Sequence, residues 1–457
     1  MYFKQLVKED LGCASYIVGC PDAGTCAVVD PRLDMVEEIL ALTSAKGMRI
    51  TAVIETHNHA DHISGHGELA SRTGACIYVH EQAGVAYPHR TLKDGDELTF
   101  GVVTIRVLHT PGHRPEHIAL TVADTSRGDD PWLVLTGDSL FIGDVARPDL
   151  AVPGIEGADA LYDSIFERLL KLEDGVEVYP AHVAGSLCGR GMNAKTSSTI
   201  GFERKHNPAV APCARAEFIR NINEHLPQRP PNMSIIVERN RGDYTQSVPV
   251  LVPCALTPVA FQREVEQHAL VIDTRAPEQF GAGHIPGALH AALHGSAFAT
   301  RVGFIAPAES RLLLVVENEA DLHEACTQLA VVGYDQVSGY LAGGMDAWQA
   351  ANQPVQELAQ LRVEQLHEQR SSLSVLDVRE QGEWDEGHIA GALHIPYYAV
   401  EQRLAELNPS VSMAVICGSG QRSTVASAVL QRHNFQRLLN VVGGMDAWRA
   451  SRLPETR

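Results

Sequence analysis

The second half of the chain repeats itself, and no other feature constrains the fold as strongly. Asp273-Thr274-Arg275 followed by Gly283-His284-Ile285-Pro286-Gly287-Ala288-Leu289-His290 returns, 104 positions on, as Asp377-Val378-Arg379 followed by Gly387-His388-Ile389-Ala390-Gly391-Ala392-Leu393-His394. Gly343-Gly344-Met345-Asp346-Ala347-Trp348 returns, 100 positions on, as Gly443-Gly444-Met445-Asp446-Ala447-Trp448. Self-similarity at a fixed spacing marks a duplicated folding unit. Residues 257–355 and 358–457 are therefore read as two copies of one domain of about 100 residues, with four residues gained or lost between their shared ends. Strand-like runs alternate with helical stretches such as 423–433, so each copy reads as α/β.

A length of 457 residues suggests about three domains at roughly 150 residues each. The remaining two are a first domain, 1–205, and a segment, 206–256, that carries Leu226-Pro227-Gln228-Arg229-Pro230-Pro231-Asn232-Met233 and is read as an extended linker, since proline also restricts its neighbours. A chain with 45% hydrophobic and 20% charged residues is not wholly disordered. Its net charge of −19 repels phosphate backbones and argues against a nucleic-acid partner. No apolar run reaches the ~20 residues of a membrane helix, and the start Met1-Tyr2-Phe3-Lys4-Gln5 lacks the pattern of a signal peptide. Nine scattered cysteines predict reduced thiols and a cytoplasmic setting.

Histidines cluster in the first domain. Thr56-His57-Asn58-His59-Ala60-Asp61-His62 places three imidazoles and a carboxylate within six positions, just after the β-branched run 50–55. Three further runs end similarly: 103–108 before His113, 132–135 before Asp138, and 176–179 before His182. Strand ends that each deliver a ligand-type side chain predict a metal site, and imidazole with carboxylate suits zinc or non-haem iron.

The signature at 57–62, with His113, Asp138 and His182, resembles the metallo-β-lactamase superfamily, which implies an αββα sandwich over about 1–205. Two branches are close. Glyoxalase II enzymes use all seven residues for two metals and cleave a thioester. Persulfide dioxygenases bind one Fe(II), and by that resemblance the ligands are His57, His113 and Asp138. His59, Asp61, His62 and His182 then orient ligands and water. The stretch 143–149 resembles a dioxygenase segment whose arginine contacts a substrate carboxylate, which gives that role to Arg147. The stretch 179–189 looks like persulfide dioxygenases fused to rhodaneses, and its Cys188 is expected to face the metal pocket. Glyoxalase II also carries a helical substrate domain after the sandwich, where an extended linker is expected in this chain.

In the second repeat, Cys417-Gly418-Ser419-Gly420-Gln421-Arg422-Ser423 follows a strand and opens a helix. Its glycines let backbone N–H groups curl toward one centre, while the helix N-terminus and Arg422 stabilise negative charge on the Cys417 sulfur. With Asp377-Val378-Arg379 and Gly387-His388-Ile389, this loop resembles the rhodanese sulfurtransferases. The resemblance makes Cys417 the sulfur carrier within a persulfide loop of Gly418, Ser419, Gly420, Gln421 and Ser423. In the first repeat the 100-residue offset puts Glu317 opposite Cys417 and Leu322 opposite Arg422, so that copy is expected to be silent.

The expectation is a metallo-β-lactamase αββα sandwich followed by two α/β rhodanese-like domains. It would oxidise a small thiol persulfide with O2 to sulfite in sulfide detoxification, and pass sulfur to that sulfite as thiosulfate. No membrane or nucleic-acid partner is expected, and homo-oligomerisation is left open. The rivals are a binuclear zinc thioesterase and a non-catalytic sulfur carrier or sensor.

Overall fold

A computed structural model describes residues 1–211, 214–224, 226–242, 253–295 and 297–457. The chain divides into two compact units, Met1–Pro249 with Val331–Gly333, and Val250–Ala330 with Tyr334–Arg457.

In the first unit, β1 (Tyr2–Lys8), β2 (Cys13–Cys20), β3 (Thr25–Val29), β4 (Arg49–Ile54), β5 (Cys76–His80) and β6 (Arg90–Leu92) form one sheet in sequence order. A second sheet takes β7 (Glu97–Phe100), β8 (Val103–His109), β9 (Ile118–Asp124) and β10 (Leu133–Gly137). After a hairpin of β11 (Leu140–Phe141) and β12 (Asp144–Val145), it is completed by β13 (Glu177–Pro180) and β14 (Ser198–Thr199), in the order β14-β13-β10-β9-β8-β7.

Alternation along the strands explains the stacking. Tyr16, Val18, Ala27, Val29, Ala52 and Ile54 face Val103, Ile105, Val107, Leu120 and Leu135 across the sheets. Their neighbours Ile17, Val28 and Val53 point outward to Val36 and Ile39 of α1 (Val36–Ala45) and Leu69 of α2 (His66–Thr73). On the far side, Val134 and Val178 meet Ala158 and Leu161 of α3 (Gly154–Tyr162) and Ile200 of α4 (Ile200–His206). Each fully buried aliphatic side chain contributes about 1.5–3 kcal/mol, so period-two burial on both faces fixes four layers, αββα.

The segment 206–256 departs from the expected extended linker. It holds α5 (Arg215–Asn223) and α6 (Met233–Arg241). Phe218 and Ile222 enter the helix side of the second sheet, and Met233, Ile236 and Asn240 are buried on α6. Proline confines its restriction to the turn between these helices, and an apolar stripe on each drives packing. Within this segment 212, 213, 225 and 243–252 lie outside the described residues. The helical segment removes the extended linker as a distinction from glyoxalase II.

The second unit contains the two repeats. The first has β15 (Cys254–Leu256), β16 (Leu270–Asp273), β17 (Leu289–His290), β18 (Leu312–Val315) and β19 (Val337–Leu341) in the parallel order β15-β19-β18-β16-β17. The second matches it with β20 (Ala359–Leu361), β21 (Ser374–Asp377), β22 (Leu393–His394), β23 (Met413–Ile416) and β24 (Leu438–Val441), in the order β20-β24-β23-β21-β22. The repeated Asp-x-Arg is a buried fork in both copies: Arg275 pairs with Asp273 and Arg379 with Asp377, and each guanidinium also donates to the carbonyl of Gly283 or Gly387. Among the described residues no helix is long and apolar enough to cross a membrane.

Candidate functional site

Four strands of the first unit end at one place. His57 follows β4, His113 follows β8, Asp138 follows β10 directly and His182 follows β13. All four are buried. His57, His113 and Asp138 offer ligand atoms within 4.8 Å of one another. Asp138 Oδ2 stands 3.9 Å from His57 Nε2 and 3.4 Å from both His113 Nε2 and His182 Nε2.

Hydrogen bonds behind two of these side chains decide which atoms face inward. Thr56 Oγ1 gives its hydrogen to Asp30 Oδ2 at 2.8 Å, so at 3.0 Å from His57 Nδ1 it acts as acceptor, which leaves His57 Nε2 bare. His113 Nδ1 donates to the Arg147 carbonyl at 2.9 Å, so its Nε2 is bare as well. Neither Nε2, nor either oxygen of Asp138, has a hydrogen-bond partner. Orphaned polar atoms in a buried pocket are costly unless a cation satisfies them, so this donor set fits a metal ion. Despite its burial, His182 and His113 hold Asp138 well below the usual carboxylate range, while burial and then His59 and His113 push His57 down; both sit in their ligating forms.

His59 faces elsewhere. Its Nε2 lies 3.2 Å from Asp30 Oδ1 and 3.2 Å from Glu55 Oε2, and against the cost of burial these carboxylates hold it well above the usual imidazole value. Asp61 and His62 group with Cys13, whose Sγ is 3.5 Å from Asp61 Oδ2 and 3.7 Å from His62 Nδ1. His182 groups with Asp61 and Cys188. Cys188 is buried beside Phe141, Ala146 and Met192, and burial pushes its thiol far up, so it is a neutral thiol on the pocket wall.

Arg147 is brought to the site, with a different immediate task from the substrate contact expected. Its guanidinium is buried in a two-point pair with Asp149 at 2.7 and 2.9 Å, and its carbonyl orients His113.

Three further groups escaped the sequence. His117 Nε2 accepts from the Asp138 backbone N–H at 2.8 Å, and burial with the neighbouring His113 lowers its pKa to about 3, which keeps it an acceptor. Gly137 has φ +52°, and a Cβ there would lie 2.5 Å from His117 Nε2, so only glycine lets this bond form. Cys13 is the second. The third is Asn240 on α6, whose Nδ2 donates to the carbonyls of His59 and His62 and whose Oδ1 accepts from Ser64 N–H. Nothing in the local sequence marked them. Asn240→Ala strands buried backbone groups of the histidine loop and is expected to cost about 2–4 kcal/mol, read as a lower urea midpoint together with weaker metal retention.

In the second unit the thiol loop opens a helix, while Arg422, expected to serve the Cys417 sulfur, is paired with Glu383. Cys417 follows β23 directly and is buried; Gly420 N–H donates to its Sγ at 3.1 Å, and Ser423 Oγ lies 3.4 Å away. Gly418, Ser419 and Gly420 curl into a helix over Gln421–Arg432. Arg422 pairs with Glu383 at 2.5 and 2.7 Å. The repeated Gly-Gly-Met-Asp motif closes over this loop: Met445 N–H donates to the Cys417 carbonyl and Asp446 N–H to that of Gly418. Gly444, with φ +54°, has no room for a Cβ, which would lie 2.2 Å from the Cys417 oxygen.

The pairing of the first repeat corrects one alignment. Asp273 pairs with Val315 where Asp377 pairs with Ile416, so the residue after β18 that matches Cys417 is Val316 rather than Glu317. Glu317 is exposed. The copy still lacks a thiol at the loop position, because Val316 offers no nucleophile and its Cys326 lies on the following helix, Leu322–Val331.

A profile of the metallo-beta-lactamase superfamily matches residues 9–182, and a rhodanese-like domain profile matches 257–351 and 359–451. A hydroxyacylglutathione hydrolase of Polaromonas sp. is 32% identical over 221 residues, which cover 46% of this chain and 80% of that protein. The mitochondrial persulfide dioxygenase ETHE1 of Bos taurus is 28% identical over 247 residues, covering 54% of this chain and 90% of that protein. A crystal structure of a metallo-beta-lactamase from Staphylococcus aureus subsp. aureus COL is similar with 28% identity and a TM-score of 0.67, over 75% of this chain and 98% of that one. Four strand ends carrying ligand-type side chains on an αββα sandwich, followed by a duplicated α/β fold of which one copy keeps a cysteine in its loop, agree with these matches: the chain belongs to the metallo-beta-lactamase superfamily and carries two rhodanese-like domains behind its metallo-beta-lactamase domain.

Proposed function

We propose that this chain oxidises a low-molecular-weight thiol persulfide with O2 at one Fe(II) and passes sulfane sulfur onward at Cys417. The observation that carries the reading is the split within the histidine motif. His57, His113 and Asp138 converge with bare ligand atoms, while His59 is held between Asp30 and Glu55. Two imidazoles and one carboxylate make a triad that leaves coordination positions open for a sulfur ligand and dioxygen. The persulfide dioxygenase relatives support the same chemistry.

Fe(II) would supply activation of the persulfide and of O2. The overall change is R–S–S⁻ + O2 + H2O → R–SH + SO3²⁻ + H⁺. Around that centre Thr56 and the Arg147 carbonyl orient the two imidazoles, His117 holds the Asp138 backbone, and His182 Nε2 stands 3.4 Å from carboxylate oxygens of both Asp61 and Asp138. In the second unit a second persulfide loads Cys417, R–S–S⁻ + Cys–S⁻ → R–S⁻ + Cys–S–S⁻. Sulfite then takes the outer sulfur as thiosulfate, Cys–S–S⁻ + SO3²⁻ → Cys–S⁻ + S2O3²⁻. Joining both sites in one chain raises the effective concentration of sulfite for the transfer. A reducing cytoplasmic setting and a role in sulfide detoxification fit this chemistry.

The hydroxyacylglutathione hydrolase relative favours a second reading, a two-zinc thioesterase using all seven residues. Metal content and oxygen uptake decide between them: about one iron and uptake with a persulfide, against two zincs and thioester cleavage. His59→Ala sharpens the test. It is expected to keep close to one iron per chain while losing stability, because Asp30 and Glu55 stay buried without their partner, a loss of about 3–5 kcal/mol. Metal loss equal to that of His57→Ala would return the site to the two-metal reading.

A further inference from the structure

Within the second unit, the repeat whose loop lacks a cysteine packs against the loop of the repeat that has one. Phe304, on the helix Phe298–Ile305, stacks on Tyr398 with ring centroids 4.9 Å apart and meets Tyr397 edge-on at 5.6 Å. A Cβ on Gly295 would stand 3.0 Å from Gln421 Nε2, and a cavity of about 330 Å³ is lined by Ser419 and Gly420 on one side and His294 and Glu317 on the other.

Arg301 lies one turn before Phe304 on that helix. The residue is only 6% exposed, and its Nη1 is buried with no hydrogen-bond partner. The other deeply buried arginines of this unit, Arg275 and Arg379, are each forked onto an aspartate. No carboxylate pairs with Arg301 among the described residues. Burial pushes its pKa below the usual guanidinium value, and the charges that act on it are those of Tyr397, Cys417 and Arg422. A desolvated guanidinium without a counter-ion is expensive, and the cost falls when an anion is brought to it. Arg422, the cation of the loop itself, is already committed to Glu383.

We propose that Arg301 is an oxyanion-binding residue for sulfur transfer at Cys417, supplied by the repeat whose own loop has no cysteine, and that its ligand is a small sulfur oxyanion. This rests on the reading that Cys417 carries sulfane sulfur. The sulfur lone pair of sulfite attacks the outer sulfur of Cys417–S–S⁻. The new S–S bond forms as the Cys417 Sγ–S bond breaks, and the electron pair of the broken bond stays on Cys417 as thiolate. Three negative charges meet in this step, and Arg301 offsets their repulsion through a charge-assisted hydrogen bond to a sulfite oxygen.

The test uses the full-length, iron-loaded protein with Cys417 preloaded from a small-molecule persulfide, and follows discharge to sulfite and to the neutral acceptor dithiothreitol. Arg301→Gln is expected to lower the ratio of sulfite to dithiothreitol rates at least ~10-fold, the loss of one charge-assisted hydrogen bond. Arg301→Lys should recover part of it. In the wild type, sulfate should compete with sulfite and leave dithiothreitol discharge untouched, a measurement that needs no variant to fold. A wild-type protein that discharges to sulfite with no sulfate competition, or an Arg301→Gln ratio equal to wild type, overturns the role of Arg301 alone. A wild-type Cys417 that takes up no sulfane sulfur overturns the transfer reading and this role with it.

Discussion

Asp138→Ala is expected to leave the purified protein nearly free of iron and to lower oxygen uptake with a small-molecule persulfide by about three orders of magnitude. Removal of orienting partners behind a metal ligand already costs roughly 10–100-fold in affinity or activity, and a ligand itself costs more. Asp138 is the residue with the most to lose: both oxygens are buried and unpartnered, and His57, His113 and His182 all face Oδ2. His57→Ala should follow the same course. Sulfur transfer at Cys417 should stay near wild type in both, because the thiol loop belongs to the other compact unit. Metal analysis beside oxygen-electrode traces reads the outcome. Iron and turnover retained in Asp138→Ala would show that the ligand set has been misassigned.

Cys417→Ser should change the product and leave oxygen uptake in place. Serine keeps the size of the side chain but forms no persulfide, and its hydroxyl is barely ionised near neutral pH, so transfer should fall below detection. The bond from Gly420 N–H and the contact with Ser423 can re-form around the hydroxyl, so the loop should keep its shape. Persulfide oxidation then runs on to free sulfite, where the wild type delivers thiosulfate. Chromatographic separation of sulfite from thiosulfate, corrected for uncatalysed exchange between sulfite and persulfide, measures the switch. Unchanged thiosulfate yield would overturn coupling through Cys417.

The strand ends that carry histidine or aspartate were legible from residues alone. Metal binding draws on few side-chain types, and a strand that stops at a histidine or aspartate is visible as a β-branched run broken by a polar residue, as at 50–57 and 133–138. The duplication was equally legible, because identity at a fixed spacing needs no structure to be seen. The Cys417 loop belongs to the same class: chemistry, two glycines and a following helix lie within seven consecutive residues.

Other features depended on partners distant in sequence. A one-residue slip between the repeats is invisible while both alignments place apolar residues on a strand; only the pairing of Asp273 with Val315 fixed Val316 opposite Cys417. The prolines at 227, 230 and 231 suggested an extended linker, yet the apolar faces of α5 and α6 find sheet and loop to cover, and burial outweighs local propensity. His59 shares a motif with His57, and its direction was decided by Asp30, 29 positions earlier, and by Glu55. Asn240 and Arg301 carried no sequence signal, since what sets them apart is the partners they have or lack once the chain has folded. Sequence thus determined the residue types and the local elements that bear the chemistry. Tertiary structure decided which of those side chains face a common centre, because orientation is set by hydrogen bonds and packing between residues far apart in the chain.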